Sequence, residues 1–151
     1  MSRISLVLRH PQLKALYNFW VAQCEGDQLP MAEDIEPADL RPWIGNMVVM
    51  DVIPDEDDED ADAYTYAYYS SGFASTFGDK AGRSLDDLPE EQRALIKAEY
   101  DHVRRDRIPT SRVYTADFPE GRQTWERLVL PFFDPDGDVV KLLVAAYRLD
   151  T

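Results

Sequence analysis

The chain has 151 residues, enough for one compact domain with a single hydrophobic core. Its net charge of −13 disfavours nucleic acid and anionic membrane surfaces as partners. The single cysteine, Cys24, excludes an internal disulfide, and no apolar run reaches the roughly 18 residues of a membrane span or forms a signal peptide. We therefore expect a globular protein of the cytoplasm.

The first predicted element is an amphipathic helix in "PQLKALYNFWVAQCEG", with Pro11 in its first turn and Gly26 at its end. Its apolar stripe contains Leu13, Leu16, Tyr17, Trp20, Val21 and Cys24. The stripe either packs on its own domain, which is the usual arrangement, or meets the same helix of a second chain. We assign residues 1–27 to an N-terminal helical extension and residues 28–151 to the main domain.

Residues 28–43 contain three prolines, which predicts an irregular connection with one short helical turn near Pro37 to Leu40. A β-branched apolar run, "IGNMVVMDVI", then predicts a strand. A second strand, "AYTYAYYS", has period-2 alternation that predicts Tyr64, Tyr66 and Tyr68 on one face. Between the two strands, residues 55–62 hold seven acids in eight positions, most simply a solvated hairpin loop.

Glycines at 72, 78 and 82 punctuate the next segment, which predicts short helical pieces before a longer helix in "LPEEQRALIKAEYDHVRRDR". Three strands follow, in "SRVYTADF", "QTWERLVLPFF" and "VVKLLVAAYRL", and "DPDG" marks a hairpin between the last two. The element order predicts an α+β fold with a five-stranded antiparallel sheet, helices on one face and the amphipathic helix at the N-terminus.

The order of two strands, a helical excursion and three strands resembles a PAS domain. The segments "YNFW", "LPMAEDIEPADLRPWIGNMVVMDV", "YYSSGFASTFGDKAGRSLDDLP" and "RLVLPFFDPDGDVVKLLVAAY" are similar to a small bacterial PAS-like family with an N-terminal helix and a proline-containing linker. The likeness covers about residues 11 to 148.

The resemblance implies a sensory or regulatory module in signal transduction, one that binds a small ligand or a signalling protein and has no catalysis of its own. It also implies a homodimer through the N-terminal helix and an output that acts through another polypeptide. A protein-interaction or dimerisation module without a ligand is the alternative. A small enzyme is a third hypothesis, although no spacing of carboxylates or serines indicates one.

The stretch "GDKAGRS" at 78–84 lacks the spacing, the lysine and the preceding strand of a phosphate-binding loop. Gly78 and Gly82 instead predict corners in the chain. The acidic tract lacks the ligand spacing of a calcium loop. "DPDGD" is closer to such a loop, but its flanks are strands and a hairpin explains it, so no metal site is predicted.

Neither haem nor flavin is indicated, and the sequence leaves the identity of any cofactor unknown. The resemblance to PAS domains implies that a haem-binding histidine would lie on the long helix, where His102 is found, but His102 lies at the margin of the apolar stripe. The resemblance also implies that a flavin-adduct cysteine would lie near the middle helices, whereas Cys24 lies in the N-terminal helix. We expect a surface histidine and an inert, buried thiol.

The remaining candidate is a small aromatic-lined site between the sheet and the middle helices, with a filled core as its alternative. Its candidate residues are Tyr66, Tyr68, Phe73, Phe77, Leu85, Ile96, Tyr100, Trp125 and Tyr147.

Overall fold

A computed structural model describes residues 8–24, 29–53, 63–69, 90–118 and 120–149 of the protein. Within these residues two α-helices are present, α1 (Pro11–Ala22) and α2 (Glu90–Asp106). Two 3₁₀ helices, Ala32–Asp34 and Pro37–Asn46, connect α1 to the sheet. None of the described helices is long and apolar enough to cross a membrane.

Five strands form one sheet in the order β2-β1-β5-β4-β3, and every neighbouring pair is antiparallel. The strands are β1 (Met47–Ile53), β2 (Ala63–Tyr69), β3 (Thr110–Phe118), β4 (Gly121–Phe133) and β5 (Val139–Arg148). This architecture confirms the predicted α+β fold with a five-stranded antiparallel sheet.

The two faces of the sheet carry different helices. Directly opposed residues of an antiparallel strand pair have their side chains on the same face of the sheet. The register therefore shows which side chains lie on each face. Arg127 and Tyr114 belong to the face that α2 covers, which we call the α2 face. Glu126 and Tyr147 belong to the opposite face, which we call the α1 face because both contact the residues that begin α1.

Helix α1 packs on the sheet of its own chain through the inner part of the predicted stripe. Leu13 and Leu16 are fully buried, and Trp20 is nearly so. The Trp20 indole Nε1–H donates to the carbonyl of Pro131 on β4 at 2.8 Å. This hydrogen bond fixes the position of α1 along β4. At the start of the helix, His10 Nδ1 accepts from the Gln12 amide at 3.1 Å and acts as the N-cap.

The connection before β1 is more helical than the single turn predicted near Pro37 to Leu40. The 3₁₀ helix continues to Asn46, so β1 begins at Met47 and not at Ile44. Two side chains anchor the extra residues: Trp43 Nε1–H donates to the Gln12 carbonyl at 2.9 Å, and Asn46 Nδ2 donates to the Ala146 carbonyl at 3.1 Å. These contacts are long-range in sequence, which is why local proline spacing did not reveal them.

The predicted hairpin between β4 and β5 is present. Asp134 Oδ1 accepts from the amides of Asp136 and Asp138, each at 3.0 Å, and Gly137 closes the turn with φ at +86°. A Gly137→Ala variant is expected to lose about 1–2 kcal/mol of unfolding free energy, because an L-residue is strained at that φ. Urea denaturation measures the loss.

The matched control is Gly45→Ala, whose added Cβ meets nothing within 4 Å and whose backbone is not in the left-handed region. This control should leave stability unchanged or slightly raised. Equal losses in the two variants would contradict the assigned role of Gly137.

Several sequence predictions lie outside the described residues. These are the corners at Gly78 and Gly82, the acidic loop at 55–62, and the pocket candidates Phe73, Phe77 and Leu85.

Candidate functional site

A buried ion pair lies between α2 and β4. Arg127 Nε–H donates to Glu99 Oε1 at 3.2 Å, and Arg127 Nη2 donates to Glu99 Oε2, so the pair is bidentate. The two side chains are only 16% and 10% exposed. Burial lowers the pKa of Arg127, but its hydrogen bond with Glu99 and the charge of Glu99 raise it, with the net direction upward. The guanidinium is therefore a fixed positive charge in the interior.

Three tyrosines surround this pair. The Arg127 Cζ lies 5.1 Å from the centre of the Tyr114 ring, a cation–π distance. Tyr100 on α2 and Tyr66 on β2 are both buried, and burial raises the pKa of each above its ordinary value. The group combines one buried charge pair with aromatic surfaces and phenolic hydroxyls. Aromatic surfaces with a few polar groups are common in the linings of small-molecule sites.

A second polar cluster on α2 extends the same side of the sheet. The Tyr64 hydroxyl donates to Asp101 Oδ1 at 2.5 Å, and Lys97 Nζ donates to Asp101 Oδ2 at 2.9 Å. The Tyr64 ring meets the Tyr100 ring edge to face, with centroids 5.3 Å apart. This cluster ties β2 to α2 and so fixes one side of the tyrosine group.

The sequence-predicted pocket residues divide between the two faces of the sheet. Tyr66, Tyr100 and Trp125 lie on the α2 side, and Ile96 of α2 packs against the core. Tyr147 lies on the α1 face, where its ring stacks on His10 at a centroid distance of 4.5 Å.

Tyr68 is also turned to the α1 face, unlike its strand neighbour Tyr66. The register shifts between Val49 and Met50, so that Tyr68 pairs with Val49 and Tyr66 with Met50. Val49 and Met50 are adjacent and point to opposite faces of the sheet, so their partners on β2, Tyr68 and Tyr66, also lie on opposite faces. The prediction that Tyr64, Tyr66 and Tyr68 share a face is therefore wrong at Tyr68, because strict alternation does not anticipate a bulge.

The sequence reasoning missed a buried carboxylate at Glu126, the residue before Arg127. Glu126 is 1% exposed and accepts from the Arg9 amide at 2.9 and 3.1 Å and from the His10 amide at 2.7 Å. It thereby holds the start of α1 against β4. The signal was present in "TWERLVLP", where two adjacent charges stand between Trp125 and an apolar run.

The two residues considered for cofactor chemistry make their hydrogen bonds and ion pairs outside the tyrosine group. His102 is exposed on α2 and its Nδ1 lies 3.1 Å from Asp106 Oδ2. Cys24 is half-buried and not fully buried as predicted, and its thiol donates to the Trp20 carbonyl at 3.5 Å. Among the residues that the structure describes, no three His, Cys, Asp or Glu side chains are grouped so as to hold a metal ion.

Alkaline pH should destabilise the protein through the buried tyrosines. The ordinary pKa of tyrosine is about 10. At a lower pH, Tyr66 and Tyr100 are protonated in both the folded and the unfolded chain, so their contribution to the unfolding free energy is fully present. Above pH 10 the unfolded chain loses these protons while the fold retains them. The unfolding free energy therefore falls, by up to about 1.4 kcal/mol per pH unit for each such tyrosine.

The slope of unfolding free energy against pH, from urea denaturation, measures this effect. Tyr100→Phe should reduce the slope above pH 10, and an unchanged slope in that variant would contradict the assignment.

The comparisons with known proteins agree with this architecture. A family model described as the PAS fold matches residues 38–149. The chain belongs to the PAS family. The match covers most of the chain and includes the long 3₁₀ helix, all five strands and α2. Among curated proteins, none matches the chain.

Solved structures share the fold of this PAS domain at low identity. A VqmA–ligand–DNA complex from Vibrio cholerae has a TM-score of 0.56 at 14% identity, covering 79% of this chain and 54% of that one. VqmA bound to DPO has a TM-score of 0.55 at 12% identity, with coverage of 76% and 57%. A sensory box sensor histidine kinase from Vibrio cholerae has a TM-score of 0.52 at 12% identity, with coverage of 93% and 99%.

Proposed function

We propose that this PAS domain is a sensory module that binds a small molecule between the sheet and α2 and passes the change to a signalling protein. We further propose that the module is not an enzyme. Its proposed location is the cytoplasm, as expected from the sequence. The observation that carries the proposal is the buried Arg127–Glu99 pair with Tyr66, Tyr100 and Tyr114 around it.

The chemistry of the pair indicates the class of ligand. A bidentate contact uses two of the five guanidinium N–H donors of Arg127, which leaves three for the Tyr114 hydroxyl and for a ligand oxygen. Since Glu99 balances the charge, a neutral carbonyl compound fits better than a free anion. The tyrosine rings supply the surface for an aromatic or apolar body. The family membership supports ligand sensing as a general role and leaves the ligand itself to experiment.

Adjacent residues of β4 provide a route from this site to the N-terminal helix. Arg127 faces α2, and the preceding residue, Glu126, accepts from the amides of Arg9 and His10 on the other face. A ligand that shifts Arg127 would move the same stretch of strand that anchors α1. We propose that the module passes a ligand-induced change to α1 through this connection.

Dimerisation through α1 remains part of the proposal. Leu13, Leu16 and Trp20 pack inside their own chain, so a contact with a second copy would use the half-buried Tyr17, Val21 and Cys24. Sedimentation velocity of a Val21→Glu variant tests this contact. A dimer that persists in this variant would contradict it.

An NMR titration with acetophenone and benzamide tests the ligand site. Amide and tyrosine-ring shifts should change at Tyr66, Tyr100 and Tyr114, in a saturable manner. An Arg127→Met/Glu99→Leu variant, which removes the charge pair together, should bind more weakly. Shift changes that avoid these residues, or no saturable change with either compound, would reject the proposed site and favour an interaction module without a ligand.

A further inference from the structure

A second concave feature lies on the α1 face, on the opposite side of the sheet from Arg127. It is an apolar cavity of about 250 Å³ that is partly open to solvent. Its apolar wall includes Leu40, Ile44, Met47, Val49, Phe132 and Leu143. These residues come from the long 3₁₀ helix and from three strands, so the cavity forms as a consequence of the tertiary fold.

Hydrogen bonds hold the walls of this cavity in place. The Tyr68 hydroxyl donates to the Ile44 carbonyl at 2.9 Å and joins β2 to the 3₁₀ helix. Asn46 Nδ2 donates to the Ala146 carbonyl, which fixes the end of that helix on β5. Leu40 and Met47 are buried although they line the cavity. The site is therefore largely preformed, as small-molecule sites usually are.

The mostly apolar lining includes the charged side chain of Lys141. Lys141 lines the cavity, and its Nζ lies 2.5 Å from Asp51 Oδ1 on the neighbouring strand. Each side chain is 42% exposed to solvent, and Lys141 is the member of the pair that lines the cavity. The pair is neutral overall and offers N–H donors beside a carboxylate acceptor. A hydroxyl group matches it, because a hydroxyl both donates and accepts.

The volume sets the size of the occupant. A dry apolar cavity of roughly 150 Å³ accommodates benzene, so 250 Å³ corresponds to a molecule of about ten non-hydrogen atoms. A fused two-ring aromatic compound is of this size. The cavity is too small for a long acyl chain to enter in full.

From these observations we propose that the α1-face cavity is a second small-molecule site, specific for a neutral bicyclic aromatic compound with one hydroxyl group. The rings lie against the apolar wall, and the hydroxyl meets Lys141 and Asp51 at the rim. This site is separate from the one beside Arg127, and neither proposal depends on the other.

The test uses 2-naphthol as the probe and the full chain, with binding followed by naphthol fluorescence and by NMR shifts. Saturable one-to-one binding is expected, with shift changes at Ile44, Val49 and Leu143. Val49→Phe fills the cavity and should weaken binding roughly tenfold or more, because the ring no longer fits. Ile44→Phe, at a position 37% exposed and so less disturbing to the fold, should act in the same direction.

Val113→Phe is the matched control, since it makes the same change at an exposed position of β3 outside the cavity and should bind 2-naphthol normally. Lys141→Met should weaken 2-naphthol and spare naphthalene, which lacks the hydroxyl. Absence of saturable binding, equal binding by Val49→Phe and Ile44→Phe, or shifts at Tyr66 and Tyr100 would overturn the proposal. So would a change from dimer to monomer in Ile44→Phe, which would show that a second copy of the chain occupies this surface.

Discussion

The Glu99→Leu variant is expected to lose about 3–5 kcal/mol of unfolding free energy, because it leaves the charge of Arg127 buried without its partner. Arg127→Leu should be similarly destabilised, since Glu99 is then the uncompensated charge. The double variant Arg127→Leu/Glu99→Leu should recover most of the lost unfolding free energy, because it leaves no buried charge without a partner. Urea denaturation of the four proteins gives the double-mutant cycle.

A surface pair provides the matched comparison. Arg122 Nε lies 3.2 Å from Asp117 Oδ1, but the two side chains are 74% and 79% exposed. Arg122→Leu should therefore change stability by less than about 1 kcal/mol. If the losses of the two single variants at Glu99 and Arg127 simply add in the double variant, the pair is not coupled in the way that the structure indicates.

Leu16→Ala is the second change with a large expected effect. Leu16 is completely buried between α1 and the sheet, so truncation removes apolar contacts and leaves a cavity. A loss of about 2–5 kcal/mol is expected, measured by urea denaturation.

Asn18→Ala, on the exposed side of the same helix, is the control and should leave stability unchanged or slightly raised. Near-equal stability of Leu16→Ala and the wild type would show that α1 is not held on its own sheet. A lower dimer affinity in Leu16→Ala without loss of stability would favour the alternative in which the stripe meets a second chain.

Much of the fold followed from local sequence patterns. The β-branched run before Pro54, the aspartate–glycine turn at 136–137 and the helix in 90–106 each carry their signal within a few residues. The 3₁₀ helix to Asn46 did not, because its anchors, Gln12 and Ala146, are 31 and 100 residues away from the side chains that bind them.

The candidate site was predicted less well, for physical reasons. Tyr66 and Tyr100 were found because buried aromatics show in the pattern, but Tyr68 was assigned to the wrong face because a bulge has no reliable local signal here. Glu99 and Arg127 were missed since each looks like an ordinary surface charge until the fold brings them together. Glu126 was missed for the same reason, as its partners are backbone amides more than 100 residues away.

Native mass spectrometry of the freshly purified full chain tests the central proposal most directly. The proposal predicts a retained compound of a few hundred daltons in the wild type, released when the chain is unfolded and reduced in amount in the Arg127→Met/Glu99→Leu variant. The same retained compound at the same level in both proteins would contradict a site beside Arg127. A wild-type protein found only at its bare polypeptide mass would contradict tight ligand binding and favour an interaction module.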